Sequence, residues 1–297
     1  MNKPEPRRVE HQQTEKGYVP VYTTAVVEQP WASYSRTDHQ TWATLFERQR
    51  EILKGRACHE FIENQQRFHM APDTIPRFEE LNEVLIKATG WELVGVEGLL
   101  PELTFFEHLA NRRFPITWWI RKPEQIDYIA EPDLFHDLFG HVPLLLNPVF
   151  ADYMEAYGKG GVKAHGVNAE ALVNLTRLYW YTVEFGLIRQ NGELRIYGSG
   201  IVSSKGESIH CLESPAPNRI GFDLKRIMKT RYRIDTYQKT YFVIDSFEQL
   251  MDATRPDFCP IYTELAVQPS IPAGDVLAND PMFNRGTGEG WALDGDV

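Results

Sequence analysis

The chain has 297 residues, is 42% hydrophobic and carries a formal net charge of −10 at pH 7. This acidic excess argues against nucleic acid and against an anionic membrane surface as partners, because both attract basic proteins. No apolar run approaches the ~18 residues of a membrane span, and the polar N-terminus lacks the apolar core of a signal peptide. We therefore expect a cytoplasmic protein whose three widely spaced cysteines are reduced and mostly buried.

The hydrophobic pattern predicts a single domain that is mostly α-helical with a few short β-strands. Residues 1–16 are polar and are expected to form a flexible arm, and residues 17–297 to form the domain, with its core over about 18–265 and an irregular tail after it. Apolar residues at helical spacing predict the first helices. These helices cover residues 38–68 with Asp38 as N-cap, 76–89 ended by Gly90, and a short stretch that begins at Pro101.

Later parts of the chain mix helices with short strands. ITWWI, residues 116–120, is interpreted as an extended buried segment, and a helix that begins at Pro132 is expected to end at Gly140. Asn168 is a candidate N-cap for a helix that continues through Leu187. Three further stretches predict strands: the hairpin LIRQNGELRIYG, then SSKGESIHCLES, then KTYFVID.

The stretch PDLFHDLFGHVPLL contains two histidines, His136 and His141, five positions apart. On a continuous α-helix this spacing would leave the two side chains ~140° apart, too far to share a metal ion. A helix end at Gly140, with Pro143 preventing continuation, would allow His141 to turn back toward His136. The sequence therefore predicts a helix break between two metal-binding imidazoles.

A third ligand could come from a nearby carboxylate, Glu131, Asp133 or Asp137, and Glu184 is the other candidate. It lies in the apolar and aromatic stretch LYWYTVEFGL, where a carboxylate is costly to bury unless it is paired or bound to a metal. An exposed Glu184, or a salt bridge from it to Arg177 or Arg189, is the structural alternative. Two histidines and one carboxylate form the usual triad of non-heme iron oxygenases, and a zinc site with a water ligand is also compatible. The zinc-peptidase motif HExxH is absent, which favours iron.

Three motifs in this order, PDLFHDLFGHVPLL, LYWYTVEFGL and YGSGIVSSKGE, resemble the pterin-dependent aromatic amino acid hydroxylases. The resemblance covers roughly residues 18–265. It implies the catalytic-domain fold of that family, a mostly α-helical basket with one Fe(II) at the base of a cleft. The residues at the positions of the iron ligands, which are also the catalytic group, are His136, His141 and Glu184.

The resemblance also implies sites for a tetrahydropterin cofactor and for an amino acid substrate. The pterin would contact the stretch GLLPELTFF, with Phe105 stacked on its ring. The implied cofactor-binding residues are Gly98, Leu99, Leu100, Phe105 and Asp137. In the substrate site, Arg121 would pair with the substrate carboxylate and Asp133 would hold the guanidinium. The implied substrate-binding residues are Arg121, Pro132, Asp133, Trp180, Phe185 and Ser203, the last also supporting a ligand histidine.

The implied reaction hydroxylates L-phenylalanine to L-tyrosine with O2 and a tetrahydropterin. Phenylalanine is preferred because Ile234 stands where the tyrosine-hydroxylating branch has an acidic residue, and an apolar wall suits an unsubstituted ring. Tyrosine or tryptophan hydroxylation is the alternative within the family. A zinc hydrolase using the same three ligands, or an iron-free scaffold with a satisfied histidine pair, are the alternatives outside it. We expect a monomer with small-molecule partners only.

Overall fold

The computed structural model describes residues 12–14, 17–19 and 24–291 of the chain. Most of the predicted arm, residues 1–16, and the last six residues lie outside the described residues. Within the arm, β1 (Gln12–Thr14) pairs antiparallel with β2 (Gly17–Val19). The flexibility of the arm stays a prediction.

Helices dominate the described part of the chain, as the sequence predicts. In chain order they are α1 (Arg36–Ile52), α2 (His59–Arg67), α3 (Phe78–Thr89), α4 (Glu102–Ala110), α5 (Pro148–His165), α6 (Ala169–Tyr179), α7 (Ser199–Val202), α8 (Lys205–Glu213), α9 (Leu224–Lys229), α10 (Phe247–Thr254) and α11 (Cys259–Ala266). Two π-helical segments, His136–His141 and Trp180–Glu184, and three 3-10 segments, Trp31–Ser33, Pro123–Gln125 and Val142–Leu146, complete the helical structure of the described residues. In that part of the chain, no helix has both the length and the apolar character needed to cross a membrane.

The helix ends confirm some predictions and correct others. Gly90 ends α3 with a left-handed φ of 74°, and the Asn168 side chain caps α6 by accepting from the amide of Ala171. The predicted helix over residues 38–68 is wrong in its extent. It is two helices, α1 and α2, and its N-cap is Ser35, with Asp38 as the reciprocal partner of a capping box.

The strands of the domain body form two sheets. In the first, β3 (Val26–Val27) pairs antiparallel with β4 (Glu92–Val96), which pairs parallel with β5 (Arg113–Thr117). The second has the order β10-β8-β9-β6-β7, built from β6 (Leu187–Gln190), β7 (Glu193–Ile196), β8 (Asn218–Gly221), β9 (Thr240–Ile244) and β10 (Met282–Asn284). The predicted hairpin is confirmed as β6 and β7, with Asn191 and Gly192 both at positive φ.

One predicted strand is wrong. SSKGESIHCLES forms α8, because the Ser204 side chain accepts from the amide of Glu207 and caps a helix at that point. The tail is mostly irregular, as expected, yet it packs on the body through β10 and through a buried ion pair between Arg226 and Asp280. The sequence pattern did not indicate these tertiary contacts.

An aromatic cluster fills the core beneath the His136–His141 segment. Phe135 and Phe139 are fully buried, with ring centroids 4.8 Å apart. Trp42 and Phe46, both from α1, pack on these two rings at 5.5 and 5.6 Å. Because rings of this size gain much from burial, the cluster holds the segment in place from behind. The opposite face of the segment is thereby left to carry functional side chains.

Candidate metal centre and the cleft around it

The two histidines lie on one π-helical segment, His136–His141. In a π-helix, backbone hydrogen bonds join residues five apart, so the sixth residue returns to the face of the first. The Nε2 atoms of His136 and His141 are 3.2 Å apart. The helix end predicted at Gly140 is therefore wrong: the chain widens its turn there and continues into the 3-10 segment that contains Pro143.

Gly140 has a packing role in this segment. A Cβ atom at this position would lie 2.9 Å from the carbonyl oxygen of Ser199, at the start of α7. Only a residue without a side chain allows α7 to approach so closely. The glycine that the sequence suggested as a helix stop thus brings α7 against the two histidines.

Glu184 ends the second π-helical segment, which extends α6. Its two carboxylate oxygens lie 3.2 Å from Nε2 of His141 and 3.6 Å from Nε2 of His136. The structural alternatives for Glu184 are wrong, because Arg177 instead bonds Asn174 and Arg189 pairs with Asp245. The three predicted ligands therefore converge.

The ionisation states suit a cation site. Burial lowers the pKa of His136 to about 4, against the opposing charge of Glu184, so this imidazole is neutral at pH 7. Burial would raise the pKa of Glu184, but the two imidazoles and the hydrogen bonds from His141 and Ser199 lower it to about 2. The site therefore presents a neutral His136 and an ionised Glu184, the forms in which these residues bind metals.

Two serines on α7 hold these ligands. The Ser203 hydroxyl donates to the Ser199 carbonyl at 2.7 Å, so its lone pairs accept from Nδ1–H of His136 at 2.9 Å. This hydrogen bond places the proton of His136 on Nδ1 and leaves Nε2 free for a metal. The Ser199 hydroxyl donates to Oε2 of Glu184 at 2.8 Å. Sequence reasoning identified Ser203 and missed Ser199, although their i, i+4 spacing would have indicated it.

Asp137 is a rival carboxylate, since one of its oxygens lies within 4.8 Å of ligand nitrogens of both histidines. Its Oδ2, however, accepts from the amide of Thr117 at 2.7 Å, and burial raises its pKa to about 7. Glu184 is ionised and directly contacts both Nε2 atoms. Of the two carboxylates, Glu184 is therefore the better placed to bind a cation together with both histidines.

The donor spacing fits one small ion. Ligands 2.0–2.2 Å from an ion lie roughly 3.0 Å apart at octahedral angles and roughly 3.4 Å apart at tetrahedral angles. The two Nε2 atoms are 3.2 Å apart, and each lies 3.2–3.6 Å from one of the two Glu184 carboxylate oxygens. Geometry thus accommodates iron or zinc, and two histidines with one carboxylate on one side of the ion leave its other positions open, as in non-heme iron sites.

Arg121 and Asp133 form a buried ion pair next to the metal site. Nε and one terminal nitrogen of Arg121 donate to the two Asp133 oxygens, each at 2.8 Å, and the Arg121 amide adds a third bond at 2.8 Å. Asp133 also accepts from the amide of His136 at 3.1 Å. The guanidinium is therefore held rigidly and linked to a ligand histidine, as a carboxylate clamp requires.

The predicted substrate residues Trp180 and Phe185 form an aromatic pair beside Glu184, with ring centroids 4.6 Å apart. Trp180 also stacks on Tyr232 at 4.2 Å. Pro132 is exposed at the entrance to the His136–His141 segment. Ile234 is 62% exposed on the loop before β9, so the sequence argument that it forms an apolar wall gains no support from its position.

The predicted pterin residues Gly98, Leu99 and Leu100 follow β4, and Phe105 lies on α4. Strands β4 and β5 are parallel with Val96 opposite Thr117, so the loops that follow them leave the same sheet edge. The loop with Gly98, Leu99 and Leu100 is half-buried, and a Cβ at Gly98 would meet nothing within 4 Å. Phe105 packs edge-on against Tyr179 at 5.7 Å, and Tyr179 lies parallel to His141 at 6.3 Å. Open space beside a half-buried ring suits a flat cofactor.

Comparison with known proteins gives the family. The profile of the biopterin-dependent aromatic amino acid hydroxylases matches residues 13–266. The phenylalanine-4-hydroxylase of Chromobacterium violaceum is 62% identical over 269 residues, which cover 91% of this chain and 90% of that protein. The phenylalanine-4-hydroxylase of Ralstonia nicotianae is 61% identical over 271 residues, covering 91% of this chain and 86% of its own.

Solved structures agree with the sequences. The C. violaceum phenylalanine hydroxylase with bound oxidised Fe(III) matches with a TM-score of 0.85 at 62% identity, over 87% of this chain and 94% of that one. The same enzyme with iron and phenylalanine bound matches with a TM-score of 0.82 at 62% identity, over 86% and 92% of the two chains. The family that the three motifs predict is confirmed: this chain belongs to the biopterin-dependent aromatic amino acid hydroxylases.

Proposed function

We propose that this chain is a phenylalanine 4-monooxygenase that converts L-phenylalanine into L-tyrosine with O2 and a tetrahydropterin at Fe(II). The observation that carries the proposal is the convergence of His136, His141 and Glu184 beside a buried arginine. The relatives named above, all phenylalanine hydroxylases, support the choice of substrate.

The reaction balances with these components. One oxygen atom is inserted into a ring C–H bond, and the other leaves on the pterin, which supplies two electrons. When bound, the iron and the tetrahydropterin supply the activation of dioxygen. The residues of this chain bind the ion, orient the two organic molecules and exclude water from the cleft.

We assign the substrate to the side of Arg121. The guanidinium, fixed by Asp133, binds the amino acid carboxylate, and Trp180 with Phe185 contacts the ring. A planar, preoriented arginine suits this task because it binds a carboxylate through two hydrogen bonds at little entropic cost. Ser203 accepts a hydrogen bond from Nδ1–H of His136 and so acts through that histidine.

We assign the tetrahydropterin to the loop Gly98–Leu100 and to Phe105, with Asp137 nearby. The open space at Gly98 and the half-buried Phe105 ring support a flat ligand stacked at this position. The two organic molecules would then meet on opposite sides of the ion.

We further propose that the enzyme is a cytoplasmic monomer that acts in phenylalanine catabolism. The net charge of −10 supports the location, and the sequence given contains no heptad repeat of the kind that forms a coiled-coil tetramer. Sedimentation equilibrium should give a mass near 34.3 kDa. A stable tetramer would contradict the proposal.

The first experiment is aerobic turnover of L-phenylalanine with Fe(II) and a tetrahydropterin, following tyrosine by mass spectrometry. Tyrosine that requires both additions supports the proposal. If iron-bound protein oxidises the pterin but makes no tyrosine from phenylalanine, the substrate would instead be tyrosine or tryptophan. A protein that binds zinc instead of iron and oxidises no pterin would favour a hydrolase.

A further inference from the structure

Trp180 is held by a hydrogen bond that the proposed reaction does not itself require. Its indole Nε1–H donates to Oε1 of Gln238 at 2.9 Å. The indole also makes ring contacts, with Tyr232 at 4.2 Å and with Phe185 at 4.6 Å between centroids. Ring contacts allow sliding and tilting, whereas a hydrogen bond at the rim of the ring sets its rotation.

Gln238 is itself fully engaged. Its Nε2 donates to the Arg233 carbonyl at 2.9 Å, which leaves Oε1 as the only side-chain atom able to face the indole. Its backbone amide donates to Oε1 of Glu207 at 3.2 Å, and the same oxygen accepts from the hydroxyl of Tyr241. A path of hydrogen bonds therefore links the indole to α8 and β9.

The surroundings of Gln238 make this arrangement unusual. Gln238 is 3% exposed, whereas Ile234 and Tyr237, on the same loop, are 62% and 54% exposed. The loop thus buries the Gln238 side chain and directs it at Trp180, which packs against Phe185 beside Glu184. A buried amide is costly unless its groups are bonded, and here Nε2 donates to the Arg233 carbonyl while Oε1 accepts from the indole.

We propose that Gln238 is a positioning residue that fixes the plane of Trp180 and so sets the placement of the substrate ring. The proposal rests on the proposed function, in which Trp180 contacts that ring. Small misplacements of a reacting group lower the rate steeply. If Trp180 is loosely held, the pterin is oxidised without hydroxylation of the amino acid. Gln238 therefore affects coupling as well as affinity.

The test compares wild type, Gln238→Leu, Trp180→Phe and the double variant. Leucine keeps the side-chain bulk and removes the acceptor, while phenylalanine keeps a ring and removes the donor. We expect Gln238→Leu to raise KM for phenylalanine about five-fold, the change that corresponds to the loss of one neutral hydrogen bond. We also expect Gln238→Leu to lower the tyrosine formed per tetrahydropterin oxidised, and to have no further effect in the Trp180→Phe background.

Two measurements separate positioning from general destabilisation. The coupling ratio and KM do not depend on the folded fraction, and Gln249→Leu serves as the matched control. Gln249 accepts a bond of similar length from the Asp245 amide, at 2.8 Å and in a more exposed position, and it does not bond Trp180. Gln249→Leu should leave both quantities unchanged.

The third measurement does not need activity. In 15N-labelled protein, the indole signal of Trp180, identified by its loss in Trp180→Phe, should shift in Gln238→Leu. An unmoved signal, unchanged KM and coupling in Gln238→Leu, or an undiminished effect in the double variant would each overturn the proposal. If the indole signal shifts while wild type makes no tyrosine, the proposed function fails and the hydrogen bond stands.

Discussion

Replacing Ser203 by alanine tests how the chain prepares His136 for metal. In the structure, Ser203 accepts from Nδ1–H of His136 at 2.9 Å because its own proton is given to the Ser199 carbonyl. Alanine leaves Nδ1–H without an acceptor in a site where Ser203 is 6% exposed. The imidazole then loses both its fixed tautomer and part of its basicity.

The magnitude follows from two independent estimates. Leaving a buried donor unsatisfied costs about 1–3 kcal/mol. Loss of a hydrogen bond behind a metal-binding histidine typically weakens metal affinity by about 10- to 100-fold, which corresponds to about 1.4–2.8 kcal/mol. Because the two ranges overlap, we expect Fe(II) to bind to Ser203→Ala about 10- to 100-fold more weakly than to wild type.

The assay is anaerobic competition for Fe(II) against a chelator of known affinity. The control is Ser208→Ala, since Ser208 is also a fully buried serine, bonded to the Ile201 carbonyl at 2.7 Å, and it contacts no proposed ligand. We expect the control to bind iron like wild type. Equal iron affinities in Ser203→Ala and Ser208→Ala would refute the reasoning about the tautomer.

Three further predictions follow from particular contacts. Burial raises the pKa of Glu207 from its ordinary value of 4.5 to about 7, so the folded state holds a proton that the unfolded state releases. Stability therefore falls as pH rises from 4.5 to 7, by about 3 kcal/mol at most. Thermal unfolding of Glu207→Gln between pH 5 and 8 should lack this loss, and parallel curves for the two proteins would contradict the assignment. Gly140→Ala places a Cβ 2.9 Å from the Ser199 carbonyl oxygen and should lower the free energy of unfolding by about 1–3 kcal/mol in urea titration, with weaker iron binding; an unchanged midpoint would show that α7 moves freely. Arg121→Lys keeps the charge but loses the paired bonds to Asp133, and steady-state kinetics should show KM for phenylalanine raised about 10-fold or more; an unchanged KM would exclude the assigned carboxylate contact.

Much of the site could be predicted from the sequence. The types and order of His136, His141 and Glu184 indicated a metal centre with open positions, and the three motifs identified the family. Caps and turns were also readable, as at Gly90, Asn168 and the Asn191-Gly192 hairpin. These features depend on local chemistry, which neighbouring residues in the chain determine.

The errors share a physical cause. The π-helical turn at His136–His141 is not indicated by neighbouring residues in the sequence. It is stabilised by the burial of Phe135 and Phe139 and by the close contact of Gly140 with α7. The helix in place of a strand at SSKGESIHCLES depends on a cap, Ser204, hidden in a sequence of mixed propensity. In both places a contact outweighed the residue pattern: packing at His136–His141 and a helix cap at Ser204.

The sequence by itself determined the ligand types, their order, the acidic surface and the helical character of the domain. Only the tertiary structure decided which nitrogen of His136 faces the ion, that Ser199 holds Glu184, and that Gln238 reaches Trp180 from 58 positions away. The reason is that hydrogen bonds between distant segments depend on distances of a few tenths of an ångström, and such distances arise only when the whole core has packed.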